Sequence, residues 1–183
     1  MTYTLSTTDA QVFTALRAFI IDALGPGVEV VRALDNRVPN PAGPFILISE
    51  LFRSRIAMNE TNYVDTPTVG QTPGVHTETA TAATNIAFQF DCYGNGSSDH
   101  AQILANIWKS HLAVDFLSSY NMAPLFNDDP RKMPIINGEN QYELRWTFTA
   151  HLQVNPGVTT SREFSDTPPS TEVVNVSALY PIT

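Results

Sequence analysis

The run Asn85-Ile-Ala-Phe-Gln-Phe-Asp-Cys-Tyr-Gly-Asn-Gly-Ser-Ser-Asp-His100 decides how this chain folds. Ile86, Phe88, Phe90 and Cys92 recur at every second position, so a strand from Thr84 to Tyr93 puts all four on one face. Gly94 and Gly96 break the alternation. A helix is predicted from about Ser97, with Ser97 or Ser98 as its cap and Asp99 complementing the positive end of its dipole. Strand, tight turn and helix in succession define an α/β unit, and such turns often hold the chemistry of a protein. Cys92 is read as a small buried hydrophobe.

Other elements follow outward from that unit. Val12, Leu16, Phe19, Ile20 and Ala23 have three-and-four spacing, which predicts a first helix over Thr8 to Leu24, capped at Thr7, Thr8 or Asp9 and stopped by Gly25-Pro-Gly27. Val28 to Leu34 reads as a strand, Asp35 to Pro44 as a proline-pinned loop, and Phe45 to Phe52 as an apolar strand buried on both faces. Ala101, Leu104, Ile107, Trp108, His111 and Val114 form one stripe along the helix that starts near Ser97. From Asn140 to Asn155, Tyr142, Leu144, Trp146, Phe148, Ala150 and Leu152 alternate with polar residues, which predicts a long, half-exposed antiparallel strand.

The fold class expected is α/β, more narrowly α+β, with a mixed, largely antiparallel sheet packed by two helices. It forms one domain over residues 1–155. Within it the threonine-rich stretch of about 53–84 lacks a sustained apolar face and reads as a projecting β-hairpin arm or loop. Residues 156–183 read as an extended C-terminal tail, with a short strand at Val173-Val-Asn-Val176, that docks on something else.

Composition narrows the function classes. A chain of 183 residues, 43% hydrophobic and 15% charged, can bury one substantial core. Its longest apolar run, around Phe19 to Leu24, is too short to span a membrane, and Met1-Thr-Tyr-Thr4 lacks the basic cluster of a signal peptide, so action in the cytosol or in an assembly built there is expected. With Cys92 the only cysteine, an internal disulfide and a cysteine-based zinc cage are both excluded. A formal net charge of −8 argues against sequence-independent grip on DNA, which relies on Lys and Arg neutralising phosphates. Most of the cations are arginine, the residue suited to forked pairing with carboxylates at protein interfaces.

Four groupings invite a chemical reading, and each has a simpler one. The Gly94-to-Asp99 turn lacks the third glycine of a dinucleotide site and the lysine of a phosphate loop, and Asp91 and Asp99 would repel an anion. Ser97 and Ser98 do not meet the Gly-x-Ser-x-Gly pattern of a nucleophile elbow, and His100 is poorly oriented as a base for either. His111 and Asp115 stand one helical turn apart, where an ordinary ion pair is simpler than a metal site. Asp128-Asp129 before a proline reads as a solvated turn rather than a magnesium site. Asn59, Asn95 and Asn175 head glycosylation-type triplets that mean little without a secretory signal. No catalytic residue, metal or cofactor is expected.

The order helix, strand, Asn36-Arg-Val-Pro-Asn-Pro-Ala-Gly-Pro-Phe-Ile-Leu-Ile48, Arg53-Ser-Arg55, Phe88-Gln-Phe-Asp-Cys-Tyr-Gly94 and a helix carrying Ala101, Ile107 and Trp108 resembles the neck and tail-terminator proteins of tailed bacteriophages. The similarity runs from about Thr8 to Leu152 and is sharpest over Gln89 to Gly94; the threonine-rich stretch and the tail lie outside it. The resemblance implies a structural virion protein, assembled in the host cytoplasm, that forms a six-fold ring on the head-proximal end of the tail tube. Such a ring stops tube polymerisation and meets the head-tail connector or adaptor. Its implied partners are further copies of itself, the tail tube protein, the connector and, as a further candidate, the sheath, with DNA only passing through the channel and no membrane involved.

For subunit and partner contacts, chemistry and position select Arg53 and Arg55 at the base of the arm and Tyr63 and Asp65 within it. Glu143, Arg145 and the tail residues Val173, Val174, Val176 and Tyr180 complete the set. A connector adaptor or other tail-completion protein shares all these features, and a small hydrolase using Ser97 and His100 is a further alternative.

Overall fold

The computed structural model describes residues 3–33, 41, 43–66, 75–136 and 142–162. In chain order the elements are β1 (Tyr3–Leu5), α1 (Asp9–Leu24), β2 (Glu29–Arg32), β3 (Phe45–Arg55), β4 (Glu60–Thr66), β5 (Val75–Thr81), β6 (Thr84–Tyr93), α2 (Ser97–Trp108) and α3 (His111–Ser118). They are followed by β7 (Met122–Asn127), β8 (Arg131–Lys132), β9 (Ile135–Ile136), β10 (Tyr142–Glu143), β11 (Arg145–Val154) and β12 (Gly157–Arg162). The result is an α+β fold with a mixed sheet, as expected, but with three helices rather than two.

The main sheet has the order β2-β3-β6-β11-β7, with β8 also on β11; β2 and β3 are parallel and the other pairs antiparallel. β6 lies at its centre, and its predicted alternation holds. Ile86, Phe88, Phe90 and Cys92 face the helices in one core with Ile46 and Ile48 of β3 and Phe148, Ala150 and Leu152 of β11. Phe90 stacks on Phe148 directly across the ladder at 5.2 Å between ring centroids, and Phe13 of α1 meets Phe88 edge-on at 5.7 Å.

α1 starts at Thr8, whose hydroxyl accepts from the Gln11 backbone while the Gln11 side chain accepts from the Thr8 backbone N–H at 2.7 Å. That reciprocal box satisfies two otherwise orphaned amides. α2 differs from expectation at both ends. Its N-cap is Gly96 in the left-handed region (φ +78°), with no side-chain cap, so neither Ser97 nor Ser98 has that role. At its other end, Ser110 adopts an extended backbone and caps α3 by accepting from the Leu112 N–H. The break resets the helical phase, so Ala113 and Leu117 point inward while His111 and Val114, expected on the buried stripe, are exposed.

Two strands also depart from the sequence reading. β3 is buried only in its first half. A bulge between Glu50 and Phe52 shifts the register against β6, and Leu51 and Phe52 are exposed. The predicted strand over Asn140 to Asn155 is interrupted at Leu144: β11 begins at Arg145, and Tyr142–Glu143 pair with β9 instead. Tyr142 and Leu144 thereby leave the apolar row and are exposed.

The threonine-rich stretch forms the hairpin β4–β5, and it does not stand alone. β12, the first part of the segment read as a tail, pairs with β5, and β1 pairs with β12, giving a second sheet ordered β1-β12-β5-β4. This arm continues the centre of the main sheet: β3 leads into β4, β5 into β6 and β11 into β12. Backbone bonds from Ile56 N–H to the Ala83 carbonyl (2.9 Å) and from Ala82 N–H to the Pro156 carbonyl (3.2 Å) stitch the junction.

Because Phe88 is fully buried between the ladder and α1, Phe88→Ala is expected to lower unfolding stability by about 3–5 kcal/mol. Urea denaturation monitored by circular dichroism would measure it, and a loss below about 1 kcal/mol would contradict this packing.

Candidate assembly surfaces

The turn that ends β6 is built for backbone approach. Gly94 has φ +84°, and a Cβ there would lie 3.1 Å from the Pro44 Cα, so only glycine lets the turn close against the loop before β3. At the start of α2, Ser97 is buried, the Ser98 hydroxyl is directed to Asp99 at 3.2 Å, and the His100 ring lies over Gly96. His111 and Asp115 are both exposed and form no ion pair with each other. Asp128 and Asp129 pair with Arg131 and Lys109 respectively, at 3.5 Å and 3.6 Å. Among the described residues no cluster of His, Cys, Asp and Glu has the geometry of a metal site, and no helix is long and apolar enough to cross a membrane.

The residues selected for subunit contacts fall into distinct environments. Arg53 is held within its own chain: the bulge puts Glu50 and Arg53 on the same side of β3, where the guanidinium bonds both Glu50 oxygens at 2.5 Å and 2.8 Å and reaches Asp9 at 2.6 Å. Its pKa is raised, chiefly by the hydrogen bond to Glu50, with burial opposing and Asp9 reinforcing. The clamp ties the start of α1 to the place where β3 leaves the core. Arg55, two residues further, is exposed and carries no ion pair among the described residues. Tyr63 sits on β4 with more than half its surface exposed, and Asp65 is on the same strand, in register with His76.

Arg145 lies elsewhere, on the sheet face away from the helices. It donates to Asp91 Oδ1 from Nε (3.1 Å) and Nη2 (2.9 Å), while Gln89 donates to both Asp91 oxygens. The Asp91 side chain is only 3% exposed and Arg145 19%, so the pair is largely desolvated. Arg145 thus neutralises a carboxylate inside its own subunit. Its neighbour Tyr93 stacks on Phe45 at 4.5 Å and has its pKa raised, burial outweighing the opposing charge of Arg145. Glu143 is half-buried on β10. Val173, Val174, Val176 and Tyr180 lie outside the described residues.

Two surfaces were not found by sequence reasoning. On one face of the arm, Tyr3, Leu5 and Val158 lie beside one another on β1 and β12 and Tyr63 stands at the far edge on β4, each at least 40% exposed, while His76 on the same side is buried. The helices pack on β2, β6, β7 and β11 rather than across this face. On the open face of the main sheet, Phe52, Ala87, His151 and Phe126 form a row across four strands, with His151 stacked on Phe126 at 4.0 Å and bonded to Asn85. Alternation in β11 and β6 indicated which residues share a side; the bulge that brings Phe52 into line left no mark in the sequence.

The chain is thus an α+β domain whose sheet extends beyond its helical layer and carries exposed aromatic and aliphatic side chains. The chain belongs to the phage neck terminator protein family, whose model matches residues 10–178. It is therefore a structural protein of the bacteriophage neck. A comparison with curated proteins finds no match.

Replacing Arg145 with Met leaves Asp91 charged, buried and uncompensated, and should cost about 3–5 kcal/mol of unfolding stability, whereas Asp91→Asn combined with Arg145→Met should recover most of it. A double-mutant cycle in urea checks this; equal losses in the single and double variants would contradict it. Cys92 provides a pH test. Burial, with the Asp91 charge adding to it, pushes its thiol from 9.0 up to about 12, so the unfolded chain releases this proton first as pH rises. Stability should therefore fall between about pH 9 and pH 12, with a shallower fall in Cys92→Ala, as read by denaturation at stepped pH.

Proposed function

We propose that this protein terminates the phage tail by assembling into a closed ring, six-fold in the reading favoured by the resemblance, on the head-proximal end of the tail tube. There it stops further tube addition and presents a surface to the head-tail connector or adaptor. The work is docking rather than bond-making. Family membership supports the location, and the observation that carries the mechanism is the arm, a four-stranded sheet on one face of which Leu5 and Val158 stand side by side, each at least 40% exposed. A single-layer sheet gains stability when its apolar face is covered, and in a ring the cover is the adjoining copy. A head-to-tail contact that closes on itself also satisfies strand edges that would otherwise recruit wrong partners.

The net charge of −8 suits a channel protein past which DNA moves without sticking. The tail sheath is a further candidate neighbour. A connector adaptor shares the same sequence features, and it differs in binding the connector without capping tubes.

Native mass spectrometry of the purified chain should show a closed oligomer, and adding it to growing tail tubes should arrest their elongation. Leu5→Asp and, separately, Val158→Asp should each abolish both while shifting the melting temperature by only a few degrees. A wild-type chain that stays single at tens of micromolar and leaves tube length unchanged would overturn the proposal.

A further inference from the structure

Among the described residues, Arg53, Lys109, Arg131, Arg145 and Arg162 are matched with carboxylates in ion pairs. Arg17 and Arg32 form none among the described residues, yet they lie together. They line a groove of about 130 Å³ between α1 and β2, with Phe13, Thr14, Val30, Val31 and Ile48 as its remaining walls. Arg32 is held in place there, its guanidinium carbon 4.2 Å above the Phe13 ring.

The groove runs beside a strand edge that has no partner strand among the described residues. β2 is the last strand of the main sheet among the described residues. The Glu29 N–H bonds the Pro44 carbonyl and the Ala33 N–H the Ile48 carbonyl, so the odd-numbered residues are spent on β3. In a parallel ladder the backbone groups of Val30 and Arg32 then face outward. An occupant that satisfies this edge must be extended, must carry a carboxylate beside Arg32 and must be apolar beside Val30.

The chain contains a segment of that description. Residues 163–183 hold Glu163, Asp166 and Glu172 and neither Lys nor Arg, and Glu172 opens the run Glu172-Val-Val-Asn-Val176. Laid antiparallel to β2, Glu172 falls opposite Arg32, Val173 opposite Val31 and Val174 opposite Val30. Glu172, Val174 and Val176 then share the face toward α1.

Reach decides which copy supplies the segment. β2 is level with Ile48, which pairs with Phe90, whereas β12 ends at Arg162, which pairs with His76 at the far part of the arm. The contour of the chain from Phe90 to His76, the Ala82–Ala83 step between β6 and β5 included, is about 45 Å at about 3.3 Å per residue. The ten-residue step from Arg162 to Glu172 covers about 35 Å fully extended. We infer that residues Glu172–Val176 of one copy add as an antiparallel strand to β2 of a neighbouring copy, with Glu172 held by Arg17 and Arg32. This rests on the self-assembly proposed above, and it assigns the tail a place in that assembly.

The test uses two full-length forms distinguishable by a tag, one carrying Val31→Cys and the other Val173→Cys, mixed and mildly oxidised; native Cys92 is fully buried. A covalent product joining the two tags is expected. Arg17→Glu with Arg32→Glu in the first form should cut its yield at least tenfold, and Glu172→Arg in the second should restore it. A link formed only within a single chain carrying both cysteines would overturn the inference in favour of the chain's own tail. Absence of any link, or a link insensitive to the charge reversals, would also overturn it. Native mass spectrometry of the same samples separates the two proposals: rings without the link refute the strand addition alone, and a link without rings refutes the ring alone.

Discussion

The helix-facing row of β6 is the constraint on which the rest of this structure depends. Phe88 and Phe90 are enclosed by α1, α2 and the neighbouring strands, and Cys92 completes the row at the end where the chain turns into α2. A slip of one residue in β6 would exchange this row for Gln89 and Asp91 and drive a carboxylate into the core. The registers of β3 and β11 are thereby set on both sides, and through them the direction in which the arm leaves the domain.

On the opposite side of the same strand the chemistry is reversed. Gln89 and Asp91 face away from the helices, and burial of Asp91 is made tolerable by Arg145 from the next strand. A second charged device acts where β3 emerges. The bulge at Leu51 brings Glu50 and Arg53 to one side, and Arg53 then fastens Asp9 at the start of α1. Two arginines suited by type to intersubunit pairing are thus engaged inside the subunit, each holding an edge of the helical layer or sheet in place. Among the described residues, the arginines without an ion pair are those at the margins, Arg17, Arg32 and Arg55.

The helices pack on only part of the ladder. Over β3, β6 and β11 the helices bury one face; over β4, β5 and β12 the same ribbon continues without them. A phage neck protein has to be folded before assembly and adhesive during it. With the core at one end of a continuous ribbon and the docking surface proposed for the other, both demands are met, because loss of the outer contacts leaves the inner packing intact.

By itself the sequence determined the near-neighbour features: the alternation of β6, the capped and amphipathic α1, the turn at Gly94 and Gly96, and the extended character of the threonine-rich stretch. All of these depend on residues within one or two turns of each other, where period and cap chemistry act. The tail of tertiary decisions concerns residues far apart in the chain. Arg145 finds Asp91 across 54 positions, Ser6 binds Gly157 across 151, and the bulge in β3 exists only in relation to its partner strand. The break at Ser110 was local, yet a serine inside an apolar stripe is compatible with either a continuous or a divided helix; packing of Ala113 and Leu117 into the core decides for division. Long-range pairing is chosen by burial and by charge neutralisation in three dimensions, and a linear pattern carries neither distance nor dielectric.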